Sequence, residues 1–256
     1  MESLQLTDKT FPKDILADIR AIEQILLQYG AEKVILYGSM ARGDYHANSD
    51  IDICVEGLPH QNYFRAFAAC MMQAQRPMSV LDFSDTYGYL RERILEEGKI
   101  IAMSINKLRE EIEFGLENLE KIYLNISKFS QQDTSKDIVI AALTYECFGY
   151  YNAIEHLIIR LLKYLSIEIP TGPFSHRDIL RTFYTVADDR GFKVDEESST
   201  VIENLMAFRH VATKIYSFLV DWEKLEVIID DIKGSHDNIK QLFTAILILQ
   251  RKVDGG

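Results

Sequence analysis

The stretch YGSMARGD (residues 37–44), with SDIDI (residues 49–53) shortly after it, decides the fold of the first part of the chain. An apolar run at residues 34–36 precedes it and predicts a short buried strand. Gly38 and Ser39 then end the strand. Small residues at the start of a helical turn leave backbone N–H groups free for a phosphate. The stretch therefore predicts a strand that leads into a phosphate-binding turn.

Two aspartates, Asp50 and Asp52, lie two residues apart in the second segment. Strand side chains alternate, so both carboxylates share one face while the intervening isoleucine points to the core. Neighbouring carboxylates repel each other, which favours a hard cation between them. The pattern predicts a Mg²⁺ or Mn²⁺ site beside the turn. An enzyme that handles a nucleoside triphosphate as its magnesium complex needs this combination.

The spacing resembles that of the polymerase-β-type nucleotidyltransferases, and GSMARG followed by NSDID is similar to their minimal nucleotidyltransferase (MNT) branch. The resemblance implies that ATP is the substrate and that Asp50 and Asp52 hold the catalytic metal. It also implies that Gly38 and Ser39 hold the β- and γ-phosphates, with Arg42 as a further phosphate contact. A surface salt bridge is the alternative for Arg42. The implied chemistry is attack on the α-phosphate with pyrophosphate as the leaving group.

A third carboxylate usually comes from the next strand of this family, and in this chain Ser79 falls at its position. Asp82, three residues further on, is the remaining candidate for a third catalytic carboxylate. Strand alternation points Asp82 to the opposite face unless a bulge or a register shift turns it round. Without that carboxylate, nucleotide binding is retained and deprotonation of the acceptor is weakened.

The order of strand and helix patterns predicts an α+β chain with two domains. Residues 1–103 form a polymerase-β-type nucleotidyltransferase domain with a small mixed sheet backed by helices. From residue 104 onward the pattern is helical, which predicts an all-α bundle over residues 104–256. The predicted long helices of the bundle span residues 104–129, 136–167, 175–190, 196–220 and 222–251.

The second domain resembles HEPN domains of the HepT-like kind. The motifs that carry the resemblance are FRHVATKIY (208–216), YNAIE (151–155) and FSHRDIL (174–180). Active HEPN ribonucleases pair an arginine, here Arg209, with a histidine at the position of Lys214. A lysine titrates well above neutrality, so Lys214 argues against ribonuclease activity. In related toxin–antitoxin pairs an MNT protein transfers AMP to a tyrosine of its HEPN partner, and Tyr216 occupies that position.

Three functions are compatible with these motifs. The first is magnesium-dependent transfer of AMP from ATP (AMPylation) to a protein tyrosine or another hydroxyl, in a chain of toxin–antitoxin type. The second is transfer to a small molecule, similar to the kanamycin-modifying enzymes that act on aminoglycosides, with Glu146 or Glu155 as the base. The third is a nucleotide- or RNA-binding module without catalysis, which Ser79 and Lys214 favour.

The amino-acid composition bears on the binding partners and on the cellular compartment of the protein. The net charge of −11 and the pI near 5.1 give no support to RNA as a partner. Three widely spaced cysteines, Cys54, Cys70 and Cys147, predict buried, reduced thiols in a cytoplasmic protein. No apolar run approaches the length of a membrane span. The HEPN resemblance implies a homodimer.

Two further groups of polar residues are interpreted as lying outside any site. The basic residues of the helix Arg91–Lys99 are interpreted as a solvated face. The histidines His156, His176 and His236 have no partner that their spacing identifies, so they are interpreted as structural or exposed.

Overall fold

The computed structural model describes residues 1–254 apart from residues 5, 8, 9, 134 and 215–220. The chain divides into two compact units. The first unit comprises residues 1–108 and 161–169, and the second comprises residues 109–160 and 170–256. The predicted division after residue 103 stays a prediction. Nothing in the sequence pattern indicates that a segment from the middle of the helical part belongs to the first unit.

Strands and helices are mixed in the first unit. In chain order they are β1 (Glu2–Ser3), α1 (Lys13–Gln28), β2 (Lys33–Tyr37), α2 (Gly38–Arg42), β3 (Ile51–Glu56), α3 (His60–Gln73), β4 (Met78–Asp82), α4 (Gly88–Glu97) and β5 (Lys99–Met103). The described strands form one sheet in the order β1-β5-β2-β3-β4. β2 runs antiparallel to β3 and β5, whereas β4 is parallel to β3 and β1 is parallel to β5. The predicted small mixed sheet is confirmed.

The sheet separates two apolar layers because side chains alternate along each strand. On one face, Ile51 and Ile53 of β3 pack in a core with α1 and α3. On the other face, Cys54 of β3 packs with Ile94 of α4. Asp52 alternates with the isoleucines and therefore lies on the face that α4 covers. The fold thus assigns the candidate site to one defined side of the sheet.

A partly buried carboxyl group on α1 makes the stability of the protein depend on pH. Burial raises the pKa of Glu23 from its ordinary value of 4.5 to about 7, and Arg20 opposes this shift. The folded protein therefore binds this proton more tightly than the unfolded chain, and stability falls as the pH rises from 4.5 to about 7. We expect Glu23→Gln to raise the free energy of unfolding by about 1 kcal/mol at about pH 8 and to change it little at about pH 4. Urea unfolding at both pH values measures this, and an equal effect at the two values would contradict it.

Long helices make up the rest of the chain. They are α5 (Ile105–Phe129), α6 (Lys136–Tyr164), α7 (Ser175–Arg190), α8 (Glu196–Lys214) and α9 (Trp222–Asp254). The predicted all-α character of this part is confirmed, and the predicted bounds agree within a few residues. α6 ends at Tyr164, three residues before the predicted end, and α9 ends at Asp254, three residues after it. The predicted end of α8 at residue 220 lies outside the described residues.

Close contacts between helices stabilise the second unit. A Cβ atom built on Gly115 of α5 would lie 2.5 Å from the side chain of Leu157 of α6, so these helices approach closely. Phe183 of α7 stacks on Phe243 of α9 with ring centroids 6.3 Å apart. α8 also contacts α9. Each helix of this unit is therefore packed against at least one other by its apolar face.

The end of α6 belongs to the first unit. The backbone N–H of Ile167 donates to the carbonyl of Leu162 at 2.9 Å, which closes the helix end, and Ser166 adopts a left-handed φ of 54° there. The hydroxyl of Ser166 donates to the carbonyl of Ile101 on β5 at 2.9 Å. This hydrogen bond attaches the helix end to the sheet of the first unit.

Two expectations from composition can be compared with the structure. All three cysteines are buried and free of disulfide bonds, as predicted. Among the helices that the structure describes, none combines the length and the apolar content that crossing a lipid bilayer requires.

Candidate active site

The turn between β2 and α2 begins with Gly38, whose φ of +70° lies in the left-handed region that favours glycine. A Cβ atom on Gly38 would lie 2.5 Å from Oδ2 of Asp52. The backbone of the turn therefore lies directly against this carboxylate. Gly43 ends the short helix with a φ of +83°, and its N–H donates to the carbonyl of Ser39 at 2.9 Å. Glycine thus fixes both ends of the predicted phosphate-binding turn.

Asp52 lies at the centre of a hydrogen-bonded group on three strands. It is directly opposite Tyr37 of β2 and Ser79 of β4. The hydroxyl of Ser79 donates to Oδ1 of Asp52 at 2.9 Å, and the hydroxyl of Tyr37 lies 3.4 Å from Oγ of Ser79. Burial raises the pKa of Tyr37, and the contact with Ser79 acts in the opposite direction. One oxygen of Asp52 thus faces Ser79, and the other faces the Gly38 turn.

Asp50 lies immediately before β3 and is exposed. The loop that leads to it is attached to the helix behind the sheet by Arg76. This arginine donates through Nη1 to the carbonyl of Ala47 and through Nη2 to Oδ2 of Asp14 on α1, the latter at 2.6 Å. Arg76 therefore holds the loop before Asp50 against α1, and β3 begins directly after Asp50.

The donor set at these positions fits magnesium. Among the described residues, no group of three or more histidine, cysteine, aspartate or glutamate side chains is arranged to hold a metal ion. Mg²⁺ in phosphate-transfer enzymes is bound by one or two carboxylates, together with waters and substrate phosphates. Asp50 and Asp52 are carboxylates of this kind, and Ser79 contributes a hydroxyl beside Asp52. These three side chains suit a magnesium ion that binds together with a triphosphate.

Asp82, the predicted third carboxylate, is not brought to Asp52. In the regular register of β3 with β4, Ser79 pairs with Asp52 and Asp82 pairs with Val55. No bulge interrupts this register, so alternation turns Asp82 to the opposite face. Its buried carboxylate caps the 3₁₀ turn at residues 83–85 and accepts hydrogen bonds from the backbone N–H and the hydroxyl of Ser84, at 2.9 and 2.7 Å.

This placement predicts a structural effect for Asp82. Because Asp82→Ala removes the cap, we expect it to lower the free energy of unfolding by about 1–2 kcal/mol. We expect the affinity for Mg²⁺–ATP to stay unchanged, since the carboxylate points away from Asp52. Urea unfolding and calorimetric titration measure the two quantities. Loss of nucleotide binding in a variant of unchanged stability would be evidence for a role of Asp82 in the site.

Arg42 takes part in ion pairs between α2 and α4. Its Nη1 lies 3.0 Å from Oε2 of Glu97, and its Nε lies 3.2 Å from Oδ2 of Asp44. Arg93 also lies 3.0 Å from Oε2 of Glu97. Hydrogen bonds from Arg93 and Arg42 lower the pKa of Glu97 below its ordinary value. Arg42 therefore forms the salt bridge that was the alternative to a phosphate contact, and Arg93 belongs to the same cluster.

The sequence pattern predicts a solvated face for the basic residues of the helix Arg91–Lys99 and does not reveal the link from Arg93 through Glu97 to Arg42. The four-residue spacing between Arg93 and Glu97 is a pattern that could have identified their pair. The contact of Glu97 with Arg42 joins residues 55 positions apart. That contact depends on how α4 packs against α2, and no local pattern reveals it.

In the second unit, Arg209 is the one predicted HEPN residue whose side chain is described. It lies on α8, donates through Nε to Oδ1 of Asn152 at 3.0 Å and is positioned over the ring of Phe148 on α6. Lys214 is the last described residue of α8. Its side chain and the whole of Tyr216 lie outside the described part of the chain.

Glu155, a candidate base in the small-molecule alternative, is buried and already hydrogen-bonded. Its Oε1 lies 2.6 Å from Nδ1 of His176 and accepts a hydrogen bond from the hydroxyl of Tyr151 at 3.1 Å. Glu146, the other candidate, accepts a hydrogen bond from Asn125 at 3.2 Å, and burial raises its pKa. His176 thus has a partner that its position in the sequence does not indicate.

His236 also has partners, and it is buried. Its Nδ1 lies 2.8 Å from the hydroxyl of Tyr150, and its Nε2 lies 3.1 Å from Oε2 of Glu120. The ring of Tyr123 stacks on the imidazole with centroids 3.9 Å apart. These contacts join α5, α6 and α9, so His236 is a structural histidine at the centre of the second unit. Its predicted structural role is consistent with this placement.

Comparison with known proteins identifies both parts of the chain. Residues 20–106 match the family model described as Polymerase beta, Nucleotidyltransferase, and residues 142–247 match the model described as HepT-like protein. A search of the curated proteins found no match. The first match includes Gly38, Asp50 and Asp52, and the second includes Arg209. The chain therefore consists of a polymerase-β-type nucleotidyltransferase domain joined to a HepT-like domain.

Proposed function

We propose that this chain is a magnesium-dependent nucleotidyltransferase that transfers AMP from ATP to a hydroxyl group, with a protein tyrosine as the preferred acceptor. The observation that carries the proposal is the contact between the Gly38 turn and the carboxylate of Asp52. It lies within the residues that match the nucleotidyltransferase family. A turn that begins a helix beside a carboxylate suits a triphosphate accompanied by its metal, because the first N–H groups of a helix have no partner within it.

The residues of the turn and of β3 have distinct roles in this proposal. Asp50 and Asp52 would hold the magnesium ion, which when bound offsets the charge of the triphosphate and of the attacking and leaving oxygens. Gly38 and Ser39 bind phosphate oxygens through backbone N–H groups and the serine hydroxyl. The missing Cβ of Gly38 leaves room beside Asp52 for this approach.

The serine at position 79 favours an acceptor whose hydroxyl group is relatively acidic. In the transfer, the acceptor oxygen forms a bond to the α-phosphorus, the bond from that phosphorus to the pyrophosphate oxygen breaks, and the acceptor proton passes to solvent. The hydroxyl of Ser79 donates a hydrogen bond to Asp52, so it does not supply a base where the family carries a third carboxylate. A phenol, with a pKa of about 10, gives up its proton far more readily than an aliphatic alcohol. Tyrosine is therefore a better acceptor here than serine, threonine or a sugar hydroxyl.

The HepT-like match supports Tyr216 as this acceptor and a role of toxin–antitoxin type. To test this, the purified chain is incubated with Mg²⁺ and ATP, and its intact mass is measured. We expect the mass of one AMP to be added, and peptide mapping should locate it at Tyr216. Tyr216→Phe should remove the addition, and Asp52→Asn should prevent it. Addition that persists in Tyr216→Phe would identify another acceptor, and no addition with any hydroxyl acceptor would contradict the transfer.

A nucleotide-binding module without turnover is the second candidate, and Ser79 is the observation that favours it. The serine is directly opposite Asp52, where a base or a further metal ligand would otherwise lie. Calorimetry separates the two candidates. Binding of Mg²⁺–ATP without transfer of label from ATP to any acceptor supports the module, whereas transfer supports the enzyme.

A further inference from the structure

Glu97 places an anionic oxygen between two guanidinium groups. Oε2 of Glu97 lies 3.0 Å from Nη1 of Arg42 and 3.0 Å from Nη2 of Arg93. The two arginines come from α2 and α4, which contact each other. Guanidinium groups bind carboxylate and phosphate oxygens with the same geometry. The carboxylate of Glu97 therefore occupies a position that would also suit a phosphate.

This cluster lies close to the candidate active site within the first unit. Arg42 follows Ser39 by three residues on α2, and residues at that spacing lie on one side of a helix. α4 packs on the sheet face that carries Asp52. The two arginines are therefore on the same side of the sheet as the residues assigned to the triphosphate and its metal.

We propose that Arg93 joins Arg42, whose phosphate contact the family resemblance already implies, in a binding site for the terminal phosphate of a polyphosphate, and that Glu97 is an internal competitor for this site. A terminal phosphate carries more charge than a carboxylate, so it displaces Glu97 when the polyphosphate binds. The ion pairs of Glu97 are partly exposed, and pairs of this kind contribute little free energy to folding. Replacing Glu97 with a phosphate therefore costs little free energy. The inference rests on the proposed function only where it identifies the polyphosphate as a nucleoside triphosphate.

Two substitutions with matched controls test the site. Arg93→Gln removes one guanidinium, and its control Arg65→Gln makes the same charge change at an exposed arginine on α3, on the other side of the sheet. Glu97→Gln removes the competitor, and its control Glu96→Gln makes the same charge change at the exposed neighbouring residue. The probes for calorimetry are inorganic tripolyphosphate without metal, Mg²⁺–ATP, and AMP, which lacks the terminal phosphates.

For tripolyphosphate and for Mg²⁺–ATP, we expect Arg93→Gln to weaken binding about tenfold and Glu97→Gln to strengthen it about threefold to tenfold. The two controls should change these affinities by less than about twofold. The affinity for AMP should be the same in all variants. Circular dichroism of each variant verifies that the fold is retained.

Several outcomes would overturn the inference. Equal weakening by Arg93→Gln and Arg65→Gln would indicate a general charge effect. Equal strengthening by Glu97→Gln and Glu96→Gln would show that Glu97 is not a competitor. If the chain binds Mg²⁺–ATP and Arg93→Gln leaves that affinity unchanged, the inference fails and the proposed function stands. If tripolyphosphate responds as expected while Mg²⁺–ATP does not bind, the anion site stands and the proposed function fails.

Discussion

Asp52→Asn is expected to lower the rate of AMP transfer by about a thousandfold or more while the fold is retained. The amide oxygen of asparagine can still accept the hydrogen bond from Ser79, so the contacts among the strands persist. The amide carries no charge, however, and does not replace a carboxylate as a ligand of magnesium. Transfer of label from ATP measures the rate, and urea unfolding measures the stability.

Asp82→Asn is the matched control for this substitution, because it makes the same chemical change on the other face of the sheet. We expect it to leave the transfer rate unchanged. A variant Asp52→Asn that transfers AMP at the rate of the unmodified protein would refute the assignment of Asp52 to the metal. Equal losses in the two variants would show that the sheet face does not decide the role of a carboxylate here.

Gly38→Ala is expected to have a second large effect, on nucleotide binding. The new Cβ would lie 2.5 Å from Oδ2 of Asp52, which is closer than real Cβ atoms come to their neighbours, so the carboxylate or the turn has to move. We expect the affinity for Mg²⁺–ATP to fall about a hundredfold, since movement of either one disrupts the site assigned to the triphosphate and its metal. We also expect the free energy of unfolding to fall by about 1–3 kcal/mol because of the positive φ.

Gly43→Ala separates backbone strain from displacement of the carboxylate. Gly43 has a similar φ of +83°, but a Cβ atom on it would meet nothing within 4 Å. The two variants should therefore lose similar stability, and only Gly38→Ala should lose most of its nucleotide affinity. Calorimetric titration and urea unfolding provide both values. Equal losses of affinity would mean that strain in α2, and not the contact with Asp52, governs binding.

The elements around the candidate site were predictable because their determinants are local. An apolar strand, a glycine turn and a second strand that begins directly after Asp50 and carries Asp52 follow each other within residues 34–56. The position of Ser79 opposite Asp52 was also predictable, since strand alternation and the spacing of the family fix the face on which it lies. The same alternation explains why Asp82 lies on the other side and serves as a cap.

Contacts between distant residues were not predictable. Glu155 and His176 are 21 positions apart on different helices, and His236 lies 116 positions from Glu120. Their pairing depends on the order and the rotation of the helices in the bundle, which amphipathic patterns leave open. Arg42 and Glu97 are joined in the same way by the packing of α4. The sequence therefore predicts functional residues that lie close together along the chain, and pairs that only the folded structure brings together have no signal in it.

The assignment of residues 161–169 to the first unit has a consequence for how the protein is made. A ribosome that has released residues 1–108 has delivered the whole sheet, but the Ser166 hydroxyl that binds the Ile101 carbonyl has not yet been synthesised. The nascent chain has to grow through α5 and all of α6 before that contact can form. The nucleotidyltransferase half therefore matures only after translation has passed well into the HepT-like half, and a gene cut between the halves would yield a fragment without its final segment.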